Sequence, residues 1–559
     1  MKKFLKIILV IFFLMPIYCF SFNYDLKESN VFPKDKPKLV KRKVKKIFKE
    51  AIEYIYSEEY DKALPLFKKL LKKDPNNYSF SFFVGICYFN LKAPKSTILP
   101  YFEKASQQTV VDYNDNVSER RSPAFVYYYK ARLYMLDNKY EEAYNNLIKF
   151  KSLIPSSNKK LLKEVARMIE VCGYAKILTD NPLKNVVIES FPALNSTFFD
   201  YGAQMSADGN MIFFSSKRKG NLGALDKDGQ YKSDIYYIKK EGDKWSEAIP
   251  FKNANSEAND NFCSLSADGN VLFFSSDRED SQYDIYYCLK LVTNEWSTPR
   301  KLESTVNSKA NETYAWLVQN WKTLYFVSDR KDGFGGRDIY MSKKLDEGTW
   351  KEAVNLGSTI NTTYDEKSPF ASEDGKSFYF SSRGHKSMGG FDIFYSKNEN
   401  GNWSAPVNLG CPINTTYDDQ YYNISNDGKT ILYSSAKKGL DGTTDIFSVK
   451  KFNVEDAKSI KELLDKTAFT DTIPSEKKLT AGRDVIYTVQ IGAGIDLKIG
   501  AFNVLYGVKE CVSKDGLKRF IIGEFKTREE AEALRQEIIK LGFSDAWIPT
   551  IDMDRIDCE

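Results

Sequence analysis

One histidine stands in the 559 residues: His385, in "SEDGKSFYFSSRGHKSMGGFDIFYSK" (Ser372–Lys397), just before the pair Gly389-Gly390. A glycine-rich loop beside an imidazole invites proton-transfer or metal chemistry. Either needs company: a nucleophile and an orienting acid, or further ligands. The chain has no second histidine, no CxxC, no GxSxG elbow and no HExxH. A paired-carboxylate hydrolase needs no histidine and stays open as an alternative. The stretch itself recurs along the chain, which marks it as scaffold. His385 is then expected on a surface loop with no counterpart in the other copies, and Asp392 is expected to cap backbone N–H groups of the glycine turn.

Four relatives of this stretch are "SADGNMIFFSSKRKG" at Ser206, "SADGNVLFFSSDRED" at Ser266, "VQNWKTLYFVSDRKDGFGGRDIYMSK" at Val318 and "SNDGKTILYSSAKKGLDGTTDIFSVK" at Ser425. An Asp-Ile pair closes each copy, at Asp234, Asp284, Asp338, Asp392 and Asp445, in steps of 50, 54, 54 and 53. Trp245, Trp296, Trp350 and Trp403 follow the first four pairs, and the fifth copy lacks the tryptophan. Alternating aromatic and aliphatic runs broken by Asp-Gly or Gly-Gly turns read as short strands. A unit of about 50 residues with four strands is one propeller blade. Residues 185–452 resemble TolB-like (PD40-type) propeller repeats. Five blades are expected, with a degenerate sixth as the alternative. "NVVIESFPALNS" (Asn185–Ser196) resembles "WSAPVNLGCPIN" without its tryptophan, so it is expected to complete the last blade and close the ring. The repeated Asp residues suit structure better than one asymmetric active site.

Before the propeller, residues 41–180 carry a 34-residue unit. Ala51, Tyr54, Tyr60, Ala63, Phe67 and Pro75 recur as Ala131, Tyr134, Tyr140, Ala143, Leu147 and Pro155, with a weaker middle copy at Gly85, Tyr88, Phe102 and Ala105. Small residues let two helices approach, aromatics fill the gap and the proline ends the second helix. This resembles the tetratricopeptide repeat, in about three copies with a capping helix near Leu161–Ile177. The resemblance implies a concave surface for a protein partner.

After the propeller comes a linker, residues 453–482, helical at first and then flexible in "TDTIPSEKKLTAG". Residues 483–553 read as strand, helix, two strands around Asp515-Gly516, a capped helix from Thr527 with Glu530 three residues on, and a last strand "DAWIPTI". The order βαββαβ is a split-βαβ, ferredoxin-like α+β fold. "YTVQIGA" and "DGLKRFIIGEFKTREEAEALRQEIIKLGF" resemble the SPOR domain. That resemblance implies binding of peptidoglycan glycan strands on the open sheet face. Alternation puts Val485, Tyr487, Val489 and Ile491 inward and Gln490 outward, where its amide suits sugar hydroxyls. Phe520 and Trp547 on neighbouring strands are the candidates to stack on sugar rings. Gly494 stands where the family often has an aromatic residue.

The chain starts as a secretory signal peptide does: Lys2, Lys3 and Lys6, an apolar run Ile7–Ile17, and small residues to a cut near Ser21. Residues 1–21 are therefore expected to be removed; a lipoprotein would instead be acylated at Cys19. A basic lead-in, residues 22–40, suits a solvated segment or contact with anionic lipid. Seven scattered cysteines remain, an odd number with no metal spacing, and they read as buried fillers. A net charge of +6 over this length gives no case for nucleic acid. The expectation is a multidomain chain, all-α repeat, all-β propeller, then α+β domain, exported to the periplasm and associated with the outer membrane. The layout resembles Bacteroidetes-type envelope adaptors of type IX secretion and gliding. Those resemblances imply no enzyme activity, no cofactor and no metal, with envelope proteins and peptidoglycan as partners.

Overall fold

The computed structural model describes residues 42–450 except 115, 185, 226–229, 280, 320 and 437–442, and in the C-terminal region 487–494, 508–513, 518–525, 531, 532, 534–536, 538 and 556–558. The signal peptide, basic lead-in, linker and Trp547 lie outside the described residues.

Seven helices occupy the first described region: α1 (Arg42–Tyr56), α2 (Tyr60–Lys73), α3 (Tyr78–Asn90), α4 (Lys95–Ala105), α5 (Val126–Leu136), α6 (Tyr140–Leu153) and α7 (Lys159–Asp180). They pack as three consecutive hairpins and a seventh long helix. Ala51, Ala63, Ala131 and Ala143, the small residues of the repeat, are fully buried. Phe67 stacks on Phe83, with centroids 4.8 Å apart, and Phe48 meets Phe67 edge-on. Helix α3 is buried nearly all round, as its unbroken apolar sequence requires. Asn77 caps it by accepting from Phe80 N at 2.9 Å, and Asn158 caps α7 by accepting from Leu161 N at 3.2 Å. Between α4 and α5 the repeat is interrupted by a short parallel pairing of Thr109–Val110 with Ser122–Pro123.

Residues 187–450 form a five-bladed propeller, each blade a four-stranded antiparallel path from axis to rim. The inner strands are Asp200–Met205, Asp260–Leu265, Glu312–Val318, Glu366–Ala371 and Asp419–Ile424. The sixth blade of the alternative reading is absent from the described residues. The outermost strand of the fifth blade is Val187–Ser190, paired with Asp445–Lys450, so the segment before the first blade closes the ring. Each Asp-Gly hairpin is built alike: Ser206 Oγ donates to Asp208 and accepts from Met211 N, while Gly209 takes φ +71. The Met388 N–H does donate to Asp392 Oδ2, at 2.6 Å.

Helices and propeller belong to one compact unit. Arg167 of α7 donates to the carbonyls of Arg383, Gly384 and His385 and stacks over Tyr364. Leu183 N donates to Cys411 O at 2.7 Å. Lys92 lies 4.9 Å from the Phe199 ring. The helices therefore dock on the end of the propeller where the inner strands begin, called the mouth here.

The C-terminal unit is a sheet in the order Tyr487–Gly494, Lys518–Phe525, Val508–Ser513, Ile556–Cys558. The third strand in sequence thus lies between the first two, as a split βαβ requires. Ala531 and Ile538, on the described helical residues, are buried. The short strand Ile556–Cys558 on the far edge had no sequence signal.

Candidate functional site

Every inner strand opens on an acid: Asp200, Asp260, Glu312, Glu366 and Asp419, all with no exposed surface. Five buried carboxylates around one axis are the feature that a hydrolase reading would seize on. Their bonds account for them differently. Each accepts from the backbone N–H and the hydroxyl of a Ser or Thr four residues earlier, from Ser196 to Thr415, at 2.5–2.8 Å. The Asn before that hydroxyl residue clamps the third strand. Asn195, Asn255, Asn307, Asn361 and Asn414 accept from the N–H of Ile446, Ile235, Ile285, Ile339 and Ile393. The motif is Asn-[Ser/Thr]-x3-[Asp/Glu], five times over. It is an architectural device that burial makes obligatory, because carboxylate and strand groups are out of water.

In blades one to three the acid also meets an arginine: Arg218 with Asp200 at 2.6 Å, Arg278 with Asp260 at 2.5 Å and Arg330 with Glu312 at 3.1 Å. Each guanidinium stacks between two rings, as Arg218 does on Phe214 and Tyr236. It also donates to the carbonyl of Leu194, Ala254 or Val306. Blade four carries His385 in that place. Its Nε2 lies 2.8 Å from Ile360 O, the equivalent carbonyl, and its ring sits against Phe380 and Phe394, the equivalent rings. The expectation of a surface histidine without a counterpart is therefore corrected: His385 is half-buried and stands in for the repeat's arginine. Burial, and to a lesser degree Arg167, lower its pKa, although the bond to Ile360 pulls upward. Glu366 is left without a guanidinium, and burial pushes its carboxyl up to about 8.

The axis is filled. Inner strands one, three, four and five each carry a bulge whose first residue has positive φ: Gly202, Tyr314, Ser368 and Tyr421. A non-glycine residue held there costs about 1–3 kcal/mol. Two of the four are tyrosines turned into the axis. Tyr421 packs against Tyr201 and Tyr314, each with centroids 5.4 Å apart, and Gly202 makes room because a Cβ there would meet the Tyr421 ring at 3.1 Å. What remains is a void of about 20 Å³, about one water molecule. Burial raises the pKa of all three phenols and lifts the Cys263 thiol beside them to about 11, which leaves no ready acid, base or thiolate there. An aromatic plug therefore fills the axis.

The mouth above the plug is polar. Next to the buried acids stand Tyr201, Asn261, Thr313, Lys367 and Gln420. Side chains one residue before the acids stitch neighbouring blades: Asn259, Asn311, Asp365 and Asp418 accept from the N–H of Ser233, Tyr283, Arg337 and Phe391 at 2.7–3.1 Å. Lys367 Nζ lies 4.3 Å from the centroid of Phe391, and the Arg383 guanidinium lies 4.4 Å from the same centroid. Arg383 is 3.7 Å from Asp418 Oδ2.

Of the expected glycan residues, Gln490 is paired in register with Ile521, and Phe520 with Gly492 and Glu510. Register shifts flank Gln490 on both sides, so strict alternation does not run through that strand. Among the described residues there is no group of His, Cys, Asp and Glu fit to hold a metal ion, and no helix long and apolar enough to cross a membrane. Cys87, Cys172, Cys263 and Cys288 are free thiols.

No protein-family model matches the chain, and no curated protein matches it. Among solved structures, TolB from Acinetobacter baumannii is 17% identical over 46% of this chain and 56% of its own, with a TM-score of 0.29. A putative TolB from Agrobacterium tumefaciens is 17% identical over 48% of this chain and 98% of its own, at 0.30. An α-L-arabinanase from Penicillium chrysogenum is 13% identical over 48% and 96%, also at 0.30. This chain thus spans about half of the Acinetobacter protein, and likenesses at this level assign it neither an activity nor a partner.

Proposed function

We propose that the chain is a non-enzymatic adaptor of the bacterial cell envelope. It is exported to the periplasm, its helices and propeller bind protein partners, and its SPOR-like domain holds it to peptidoglycan. One observation carries the non-enzymatic part of this reading: the five carboxylates that open the inner strands are bound up in the repeat motif, while tyrosines fill the axis they surround. Glu366 and Asp234, whose carboxyls burial lifts to about 8 and about 6, are both buried away from the surface where a substrate would bind. A role in type IX secretion or gliding rests on layout alone. Two weak modules on one chain gain avidity when both can engage at once. The test is a pulldown of the full chain, wild type and Gln490→Ala, on intact and amidase-treated sacculi. Binding that rises after amidase treatment and falls in the variant is the expected result. Equal retention of a folded wild type and variant removes Gln490 from the binding face, and no retention of either removes the wall anchor.

A further inference from the structure

The cysteines are scattered along the chain, but the C-terminal sheet sets two of them side by side. Strand Val508–Ser513 pairs antiparallel with Ile556–Cys558. The register places Cys511 directly opposite Cys558, with Val512 opposite Asp557 and Ser513 opposite Ile556. Residues opposite one another in antiparallel strands share a face of the sheet. Their Cα atoms lie about 4.5 or 5.5 Å apart, according to whether the pair exchanges hydrogen bonds. Both separations fall inside the roughly 4.4–6.8 Å that a disulfide spans. Cys87 and Cys172 lie on helices, and Cys263 and Cys288 lie on strands of blade two that do not pair with each other; these four are free thiols.

The strand that carries Cys558 is 3 residues long and forms one edge of the sheet. So few residues give the ladder few hydrogen bonds, and backbone pairing alone holds such a strand weakly. Its departure would bare the edge of Val508–Ser513 to pairing with another chain.

We propose that Cys511 and Cys558 are a disulfide-forming pair that fastens this edge strand to the sheet. This rests on the export in the adaptor reading, because a disulfide persists in an oxidising compartment. The bond forms by exchange with a disulfide donor, either a small-molecule disulfide or a thiol oxidoreductase. One cysteine thiolate attacks the donor disulfide and releases one donor thiol. The other thiolate attacks the mixed disulfide and releases the second. The two cysteines lose two protons and two electrons in all, the S–S bond forms, and the donor is reduced to two thiols. The bond closes a loop of about 50 residues, which restrains the unfolded chain far more than the folded one.

The experiment is oxidation of the purified full chain in glutathione buffers, folded and in urea. Remaining thiols are then alkylated, and an unreduced tryptic digest is read by mass spectrometry. Cleavage after Lys509, Lys514 and Arg555 puts the two cysteines on short peptides, residues 510–514 and 556–559. These two peptides should be the main linked pair from the folded chain. The link should be about tenfold or more enriched over that from urea, where pairing spreads among all the cysteines. Amide exchange in Val508–Ser513 should be about tenfold or more faster after reduction. Cys558→Ser should show the fast exchange with or without reductant, and Cys511→Ser serves if that variant folds poorly. No such link in the most oxidising buffer, links as widely spread from the folded chain as from urea, or exchange indifferent to reductant overturns the proposal. The readout uses purified protein, so a chain found in the cytoplasm would sink the export reading and leave the pairing to stand or fall by itself.

Discussion

Glu366 and Glu312 occupy equivalent places in adjacent blades, yet replacing each by glutamine should have opposite consequences at pH 8. Glu366 accepts from Thr362 N, Thr362 Oγ1 and Ser382 Oγ at 2.6–2.7 Å, with no guanidinium in reach. Burial outweighs these three donors and lifts its carboxyl from 4.5 to about 8. The folded state therefore keeps a proton that the unfolded chain has released. Stability from this group is full below the unfolded value and falls as pH rises through the folded one. Between pH 5 and pH 8 the loss comes to about 3 kcal/mol. Glutamine has no proton to lose, but its NH2 faces donors, at a cost of about 1–2 kcal/mol. Glu366→Gln should thus be less stable than wild type at pH 5 and more stable at pH 8. Glu312→Gln takes the carboxylate from the half-buried Arg330 and should cost about 3 kcal/mol at both. Urea unfolding followed by tryptophan emission at a series of pH values reads both. Parallel profiles for wild type and Glu366→Gln from pH 5 to 8 would refute the argument and mean that Glu366 stays ionised.

Gly85→Ala should destabilise the helical region even though alanine is the better helix former by about 1 kcal/mol. The added Cβ would lie 2.5 Å from Phe102 Cε1, a ring with no exposed surface, and overpacking of this kind costs about 1–3 kcal/mol; the check is the thermal midpoint of the helical circular dichroism. Asn195→Ala should loosen the ring at its closure, because Asn195 holds both the N–H of Ile446 (2.7 Å) and its carbonyl (2.9 Å). Faster hydrogen exchange in Asp445–Lys450 is the expected outcome, and protection equal to wild type would count against that role.

The propeller was legible because its signals recur: Asp-Gly turns, Asp-Ile pairs and a first segment matching the missing strand all survive as periodic patterns. The Asn-[Ser/Thr]-x3-[Asp/Glu] motif recurs as regularly and was missed. It falls in the connections between strands, where alternation gives no cue. His385 was misread because a histidine does not align by type with Arg218, Arg278 and Arg330; only the shared carbonyl and ring cage reveal the equivalence. The axial plug had no sequence signal either. Tyr201 precedes its bulge while Tyr314 and Tyr421 lie on theirs, so no fixed period links them. In the C-terminal unit the hairpin around Asp515-Gly516 followed from its turn residues, while bulges beside Gln490 come from backbone register, which composition does not encode.

The pairing of Val187–Ser190 with Asp445–Lys450 has a consequence in time. The closing strand is made first and its partner last. During synthesis, four blades can assemble while the fifth waits with an open edge. Closing a loop of that length is slow compared with forming any single hairpin. Through that interval Val187–Ser190 is a free strand able to pair with another copy's last blade instead of its own. Such an exchange would link two chains through a native interface, and crowding of nascent chains would favour it over the intramolecular closure.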